Sequence, residues 1–334
     1  MHAWQIPAFG IDSLQLVTRP DVTPGPGEIK VAVRAVSFNY RDLLVVKGLY
    51  NPKLKLPRIP CSDGAGEVIA VGEGVTTRKT GDRVAGIFMQ NWIDGAPTPA
   101  KARGALGGDI DGMLADSMIL REAGLVAIPK HLSFEEAAAL PCAAVTAWKA
   151  LVTANLKPGA TVLMQGTGGV SIFALQFARL MGMRVLGVSS SEDKLERARA
   201  MGLDSGLNYR AKPEWDRWVR EQTDDEGVDL VVEVGGVGTL PRSVRAVRMG
   251  GTIAQIGVLS GPGEQIPLSQ ILHKQIRIQG IYVGSRQDFE EMNAFITLAG
   301  LKPVIESAPW QKVPDVLRRM ETGSHFGKLV VTIN

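Results

Sequence analysis

The sequence predicts an α/β protein in which a β-rich first part is followed by a doubly wound parallel sheet. Three observations carry that prediction. Short alternating apolar segments broken by Pro and Gly fill residues 1 to about 125. From about residue 145 short apolar runs alternate with helical patterns. A glycine-rich stretch, Gly166–Thr167–Gly168–Gly169, lies between the first of those runs and the first of those helices. Strands alternating with helices mean βαβ units and therefore parallel pairing.

Taken in order, Pro24–Gly25–Pro26–Gly27 reads as a turn before a strand at Ile29–Val33. Glu67–Val71 and Arg83–Ile87 read as further strands. Residues 88–112, rich in Gly, Pro, Ala and Asp, read as loop, and a helix is expected near Phe134–Leu140. In the second part, strands are expected at Thr161–Met164, Arg184–Val188, Val228–Val234, Thr252–Ile256 and Ile276–Ile281. Helices are expected at Val170–Met181 and at Glu192–Met201, the latter closed by Gly202. After about Gly284 the pattern becomes helix, turn and a last strand at Lys328–Ile333.

Composition narrows the function. A chain of 334 residues suits about two domains. Net charge is +3 with Lys and Arg scattered, so no nucleic-acid-binding stripe is expected. No apolar run reaches the roughly 20 residues of a membrane span. The first residues lack a charged segment followed by an apolar one, so no signal peptide is expected. Two cysteines, Cys61 and Cys142, rule out a disulfide framework and suit a reducing cytoplasm. The four histidines form no metal-ligand cluster with cysteine or carboxylate.

The stretch Gly166, Thr167, Gly168, Gly169, Val170 and Ser171 follows a strand and opens a helix, which is the context a dinucleotide-binding loop requires. Gly166 permits the tight turn, Gly168 a close backbone approach, and the helix N-terminus offers N–H groups to a pyrophosphate. Ser171 stands where the fingerprint has Gly or Ala. At the end of the second strand an acidic residue would bind the ribose and favour NAD. Here Ser189, Ser190 and Ser191 are followed by Lys194, with Tyr209 and Arg210 after the third strand. Hydroxyls and a lysine suit a 2′-phosphate, so NADPH is expected, with NADH the alternative. Lys194 and Arg210 are equally readable as solvated surface charges.

Together with Pro26–Gly27–Glu28, Asn39–Tyr40–Arg41–Asp42, Gly48–Leu49–Tyr50, Asp63–Gly64–Ala65–Gly66, Gly81–Asp82–Arg83–Val84, Leu140–Pro141–Cys142 and Thr146–Ala147–Trp148, that loop resembles the medium-chain dehydrogenase/reductase superfamily. The likeness covers nearly the whole chain. It implies a GroES-like β-barrel catalytic domain, residues 1–140 and 284–334, and a Rossmann domain, residues 141–283. It adds Thr146, Gly257 and Lys328 to the candidate cofactor contacts. In zinc-dependent members Cys, His and Cys hold the catalytic metal; the matching positions here look like Asn39, Ser62 and Cys142. The lobe that would hold a structural zinc, residues 88–112, has no cysteine. The resemblance therefore points to the zinc-free quinone-oxidoreductase and enone-reductase branch, although that lobe is longer than expected there.

Without a Lewis acid, a quinone or an α,β-unsaturated carbonyl is easier to reduce than a simple ketone. Asn39 is the candidate hydrogen-bond donor to the developing oxyanion and Tyr50 the candidate positioning group or proton donor. Arg41 and Asp42 are candidates to contact or orient, and read equally well as a structural ion pair. The expected activity is NADPH-dependent reduction of such a small carbonyl or quinone. The alternatives are an alcohol dehydrogenase or aldehyde reductase, and a module that binds NADPH without catalysis. The alternating segment at Ile276–Ile281 is expected at a sheet edge, where related proteins pair with a second copy, so a homodimer is expected.

Overall fold

The computed structural model describes residues 1–258 and 266–333, which form two compact units. The first comprises residues 1–145 and 283–334 and the second residues 146–282. The segment 141–145 thus belongs with the first unit.

In the first unit β1 (His2–Gln5) and β2 (Gln15–Thr18) form an antiparallel pair. β3 (Glu28–Phe38) is much longer than the five residues whose alternation announced it. Its first half alternates between half-buried and buried, while its last residues are buried throughout, so period-two reasoning stops halfway along it. It leads into helix α1 (Tyr40–Val46). β4 (Asp63–Val71), β5 (Arg83–Gly86), β6 (Ser117–Arg121) and β7 (Leu125–Ala127) follow. The expected helix near Phe134 is α2 (Phe134–Ala138), and Leu140–Ala144 continues it as a π-helical turn. α3 (Val145–Ala154) carries the chain into the second unit.

The second unit is a parallel sheet with its helices in βα alternation. Its elements are β8 (Thr161–Gln165), α4 (Gly169–Leu180), β9 (Arg184–Ser189), α5 (Glu192–Ala200), β10 (Ser205–Asn208), α6 (Trp215–Glu221), β11 (Val228–Glu233), α7 (Leu240–Ala246), β12 (Val247–Gln255), α8 (Leu268–His273) and β13 (Arg277–Gly280). The strand order is β10-β9-β8-β11-β12-β13, with the direction of winding reversing between β8 and β11. One register row, Leu186–Leu163–Val231–Ile253, crosses the four central strands. All four side chains are completely buried. Apolar runs on both faces are what a parallel sheet covered on both sides demands.

The chain then returns to the first unit through α9 (Arg286–Ala299), β14 (Ile305–Pro309), α10 (Val313–Glu321) and β15 (Lys328–Thr332). The larger sheet of that unit runs β14-β15-β3-β4-β5-β7, with β6 also on β3. Antiparallel pairing sets Leu329 opposite Phe38. The residue that opens β15, Lys328, is thereby delivered to the end of β3 where Asn39 begins the next helix. No helix of the described residues is long and apolar enough to cross a membrane.

Candidate functional sites

Within the second unit, topology gathers the candidate cofactor contacts at one edge. Gly166–Ser171 follows β8, Ser189 closes β9 with Ser190, Ser191 and Lys194 after it, Tyr209 follows β10 and Gly257 follows β12. All lie at the carboxyl ends of parallel strands, and β8 is one side of the point where winding reverses, the usual ligand position in such sheets. Gly166 has φ +70°, a conformation that costs a residue with a Cβ. A Cβ built on Gly166 or Gly168 meets no atom within 4 Å, so the space beside the loop is open. Gly168 caps α4 without a side-chain bond, leaving the first amides of this twelve-residue helix to a ligand. An open cradle under unpaired amides fits a pyrophosphate. Thr167 is buried, and Gly169 and Val170 are half-buried in the first turn of α4. The hydroxyl of Ser171 donates to the Gln165 carbonyl at 2.6 Å, which ties helix to strand and accounts for the serine.

The strand-end serines divide their roles. Ser189 is buried and its hydroxyl accepts from the Ser191 amide at 3.4 Å. Ser191 is the N-cap of α5, accepting from the Lys194 amide at 3.4 Å. Ser190 and Lys194 are half-buried. Glu192, the acid nearest these hydroxyls in sequence, is held by Arg199 at 2.8 Å. Tyr209 keeps its ring exposed, while its amide donates to the Ser189 carbonyl at 3.0 Å. Thr146 is buried in α3. Gly257 packs so closely that a Cβ there would lie 1.9 Å from the Val234 carbonyl oxygen.

A polar knot at the switch point escaped the sequence reading. Glu233, at the end of β11, is completely buried. One carboxylate oxygen accepts from the Gly235 and Gly236 amides at 2.8 and 2.9 Å and from Thr239 at 2.5 Å. The other accepts from Gln165 at 2.8 Å and from the Ser243 hydroxyl. The ends of β8 and β11 are thus fastened to each other beside the glycine loop. A Glu and a Gln, each closing an apolar run, were the available signal.

In the first unit residues 39–42 open a helix that the sequence reading did not announce. Asn39 is the N-cap of α1 and its amide donates to Asp42 Oδ2 at 2.8 Å, one arm of a capping box. Seven helical residues are too few for a period to show. Arg41 and Asp42 spend polar atoms inside the unit: Arg41 donates to Asp42 at 3.2 Å and to the Leu106 carbonyl at 2.8 Å. The Arg41 guanidinium lies 5.0 Å from the ring centres of both Tyr50 and Phe88. Tyr50 remains 40% exposed. Burial raises the Asp42 carboxyl above its ordinary range, with the Arg41 charge opposing.

Around Asn39 the structure brings together residues scattered along the chain. The Asn39 amide donates to Ser62 Oγ at 3.4 Å, and Ser62 donates to Asp63 at 2.7 Å. The backbone N–H of Cys142 donates to the other Asp63 oxygen at 3.1 Å. Lys328 Nζ donates to Asn39 Oδ1 at 2.5 Å and to the Phe38 carbonyl at 2.7 Å, and lies 3.7 Å from Asp63. Its side chain is buried within this unit and faces that cluster. Asn39, Ser62 and Cys142, the positions that resemble a metal-ligand set, therefore do converge, but around an amide, a hydroxyl, a thiol and an ammonium. One thiol beside an amide, a hydroxyl and an ammonium is a poor zinc set. Among the described residues no three His, Cys, Asp or Glu side chains are grouped to hold a metal ion. Cys142 is of intermediate exposure, yet burial, and after it the Asp63 charge, push its thiol well above the ordinary range. Thiol chemistry needs the thiolate.

Residues 25–130 match the alcohol dehydrogenase GroES-like domain and residues 169–297 the zinc-binding dehydrogenase domain. The chain is 42% identical to a zinc-type alcohol dehydrogenase-like protein of Schizosaccharomyces pombe, over 92% of each chain. It is 31% identical to the acryloyl-coenzyme A reductase of Metallosphaera sedula, over 93% of this chain and 94% of that one. A solved NAD-dependent alcohol dehydrogenase superposes with a TM-score of 0.91 at 34% identity, covering all of both chains.

Alkylation tests the reading of the thiols. Native protein treated with iodoacetamide at neutral pH should modify Cys142 and Cys61 at least about tenfold more slowly than denatured protein. Rapid stoichiometric labelling of native Cys142, read by mass spectrometry, would show a reactive thiolate instead.

Proposed function

Since the chain belongs to the medium-chain dehydrogenase/reductase superfamily and is an NAD(P)H-dependent oxidoreductase, we propose that it uses NADPH to reduce a quinone or an α,β-unsaturated carbonyl without a metal. The observation that carries this reading is the cluster at Asn39, where an amide and a hydroxyl stand at two of the three positions matching a metal-ligand set and the Lys328 ammonium bonds to that amide. A conjugated acceptor suits such a site, because the charge formed on reduction spreads to an oxygen that amide donors stabilise. The name of the Metallosphaera relative, a reductase of a conjugated thioester, supports the same class.

NADPH, when bound, supplies hydride to the conjugated carbon. The Gly166–Ser171 loop and the N-terminus of α4 hold its pyrophosphate. Ser189, Ser190, Lys194 and Tyr209 receive the 2′-phosphate. Thr146, Thr167 and Gly257 shape the remainder of the cofactor site. The absence of an acidic residue at the end of β9 supports NADPH over NADH. Asn39 Nδ2 donates to the substrate oxygen, and the Tyr50 phenol positions the substrate or delivers the proton. Arg41 fixes the Tyr50 ring, and Asp42 holds the start of α1 on which Asn39 sits. Lys328 acts in this cluster and not on the cofactor.

A second reading is an alcohol dehydrogenase or aldehyde reductase, favoured by the names of the Schizosaccharomyces relative and of the NAD-dependent structure. We also propose a cytoplasmic homodimer. β13 ends its sheet among the described residues, and Ile278 on it and Tyr282, Leu268 and Leu272 beside it are exposed. Light scattering should give twice the chain mass of 35.8 kDa, and a monomer at working concentrations would contradict it.

Asn39→Ala and Tyr50→Phe should each lower kcat by about tenfold or more while NADPH affinity stays within about twofold of wild type. Unchanged steady-state kinetics in both would remove these residues from the chemistry. Ser189→Asp should shift preference towards NADH by about tenfold, since a carboxylate repels the 2′-phosphate and accepts from a ribose hydroxyl. An unaltered ratio of kcat/KM values would mean that the phosphate is read elsewhere.

A further inference from the structure

Lys328 and Asp63 are an ammonium and a carboxylate whose side chains are 3% and 0% exposed. A lysine ammonium only donates and a carboxylate only accepts, so the two charges dictate every direction between them. The Asn39 oxygen must face Lys328, 2.5 Å away, which turns its nitrogen towards Ser62 at 3.4 Å. Ser62 must donate to Asp63, at 2.7 Å, and so accepts from Asn39. The amide of Asn39 therefore has one orientation, with one N–H committed to Ser62 and the second left over. Cys142 joins the circuit through its backbone N–H on Asp63.

We propose that Lys328 is a resident cation that supplies, at the place matching the metal site of zinc-dependent relatives, the positive charge a metal would supply, and that it positions Asn39 so that its second N–H meets the substrate oxygen. This deepens the metal-free reading above and rests on it. Lys328 is enclosed, so it acts through Asn39 as a positioning residue. Its charge already balances Asp63. A dication entering the same place would have to displace the ammonium or sit against it, and at short range in a dry site that repulsion is large.

Two experiments test the inference, the first without reference to turnover. Asn39→Cys/Ser62→His is prepared with Lys328 kept and with Lys328→Met added, both beside the natural Cys142. Each is loaded with zinc ions, desalted and analysed for zinc, with folding followed by circular dichroism. The variant keeping Lys328 should retain under about one tenth of an equivalent, and the variant with Lys328→Met about one equivalent. Equal zinc in both, or zinc in neither, overturns the claim that Lys328 holds the metal's place.

The second compares Lys328→Met with Lys328→Met/Asp63→Asn, using menadione and methyl vinyl ketone as acceptors. The single variant leaves a buried carboxylate unpaired and should lose thermal stability, which the uncharged double variant should regain. Both should keep NADPH affinity within about twofold and lose about tenfold or more in kcat. A weakened NADPH affinity with normal kcat would make Lys328 a cofactor contact. Recovery of kcat in the double variant would make the pair purely structural. Slow turnover in Asn39→Ala but not in Lys328→Met would sink this inference alone. Wild type that reduces neither acceptor would instead sink the metal-free reductase reading, while the zinc experiment would still decide the role of Lys328.

Discussion

A buried ammonium facing a buried carboxylate is the constraint on which the candidate site of the first unit depends. Charges removed from water must be paired and bonded, and breaking such a pair costs about 3–5 kcal/mol. Lys328 and Asp63 meet that demand with Asn39, Ser62 and the Phe38 carbonyl. The return of the chain as β15 is what makes the pairing possible, because it sets the last strand beside β3 with Leu329 opposite Phe38. The sheet, the start of α1 and the candidate chemistry are therefore one arrangement. Loosening the sheet register would misplace the amide of Asn39 as surely as mutating it.

The candidate site of the second unit rests on a different device. Its parallel sheet opens at the strand ends by topology alone, and the glycine loop lies at the reversal of winding. What keeps that opening in shape is Glu233, whose two oxygens gather backbone amides, two hydroxyls and the Gln165 amide. So many donors on one side chain fasten the ends of β8 and β11 to each other. The backbone amides and small side chains that the knot leaves open are the groups proposed above to hold the cofactor.

Much of this was legible in the sequence, for local reasons. The parallel strands are short apolar runs of the right length, and the loop at Gly166 announces itself through glycine and its position between strand and helix. The serines at the end of β9 were visible because a missing acid is visible. The helix α1 was not announced because it has only seven residues, although the Asn39-x-x-Asp42 spacing of a capping box was present. Lys328 was read as a cofactor contact from the family resemblance; its bond to Asn39, 289 positions away, was not legible because no pattern in a single sequence joins residues so distant. Glu233 was passed over for the same reason, since its role depends on Ser243, Thr239 and Gln165 arriving around it.

The central claim is metal-free reduction by NADPH, and its most direct test is NADPH oxidation by chelator-treated protein, followed by loss of near-ultraviolet absorbance. Quinones, enals, enones, aldehydes and simple ketones serve as acceptors, with NADH run in parallel. The account predicts fast turnover of quinones or conjugated carbonyls, better with NADPH and unchanged by added zinc. Activity confined to aldehydes or simple ketones, or restored only by zinc, would contradict it.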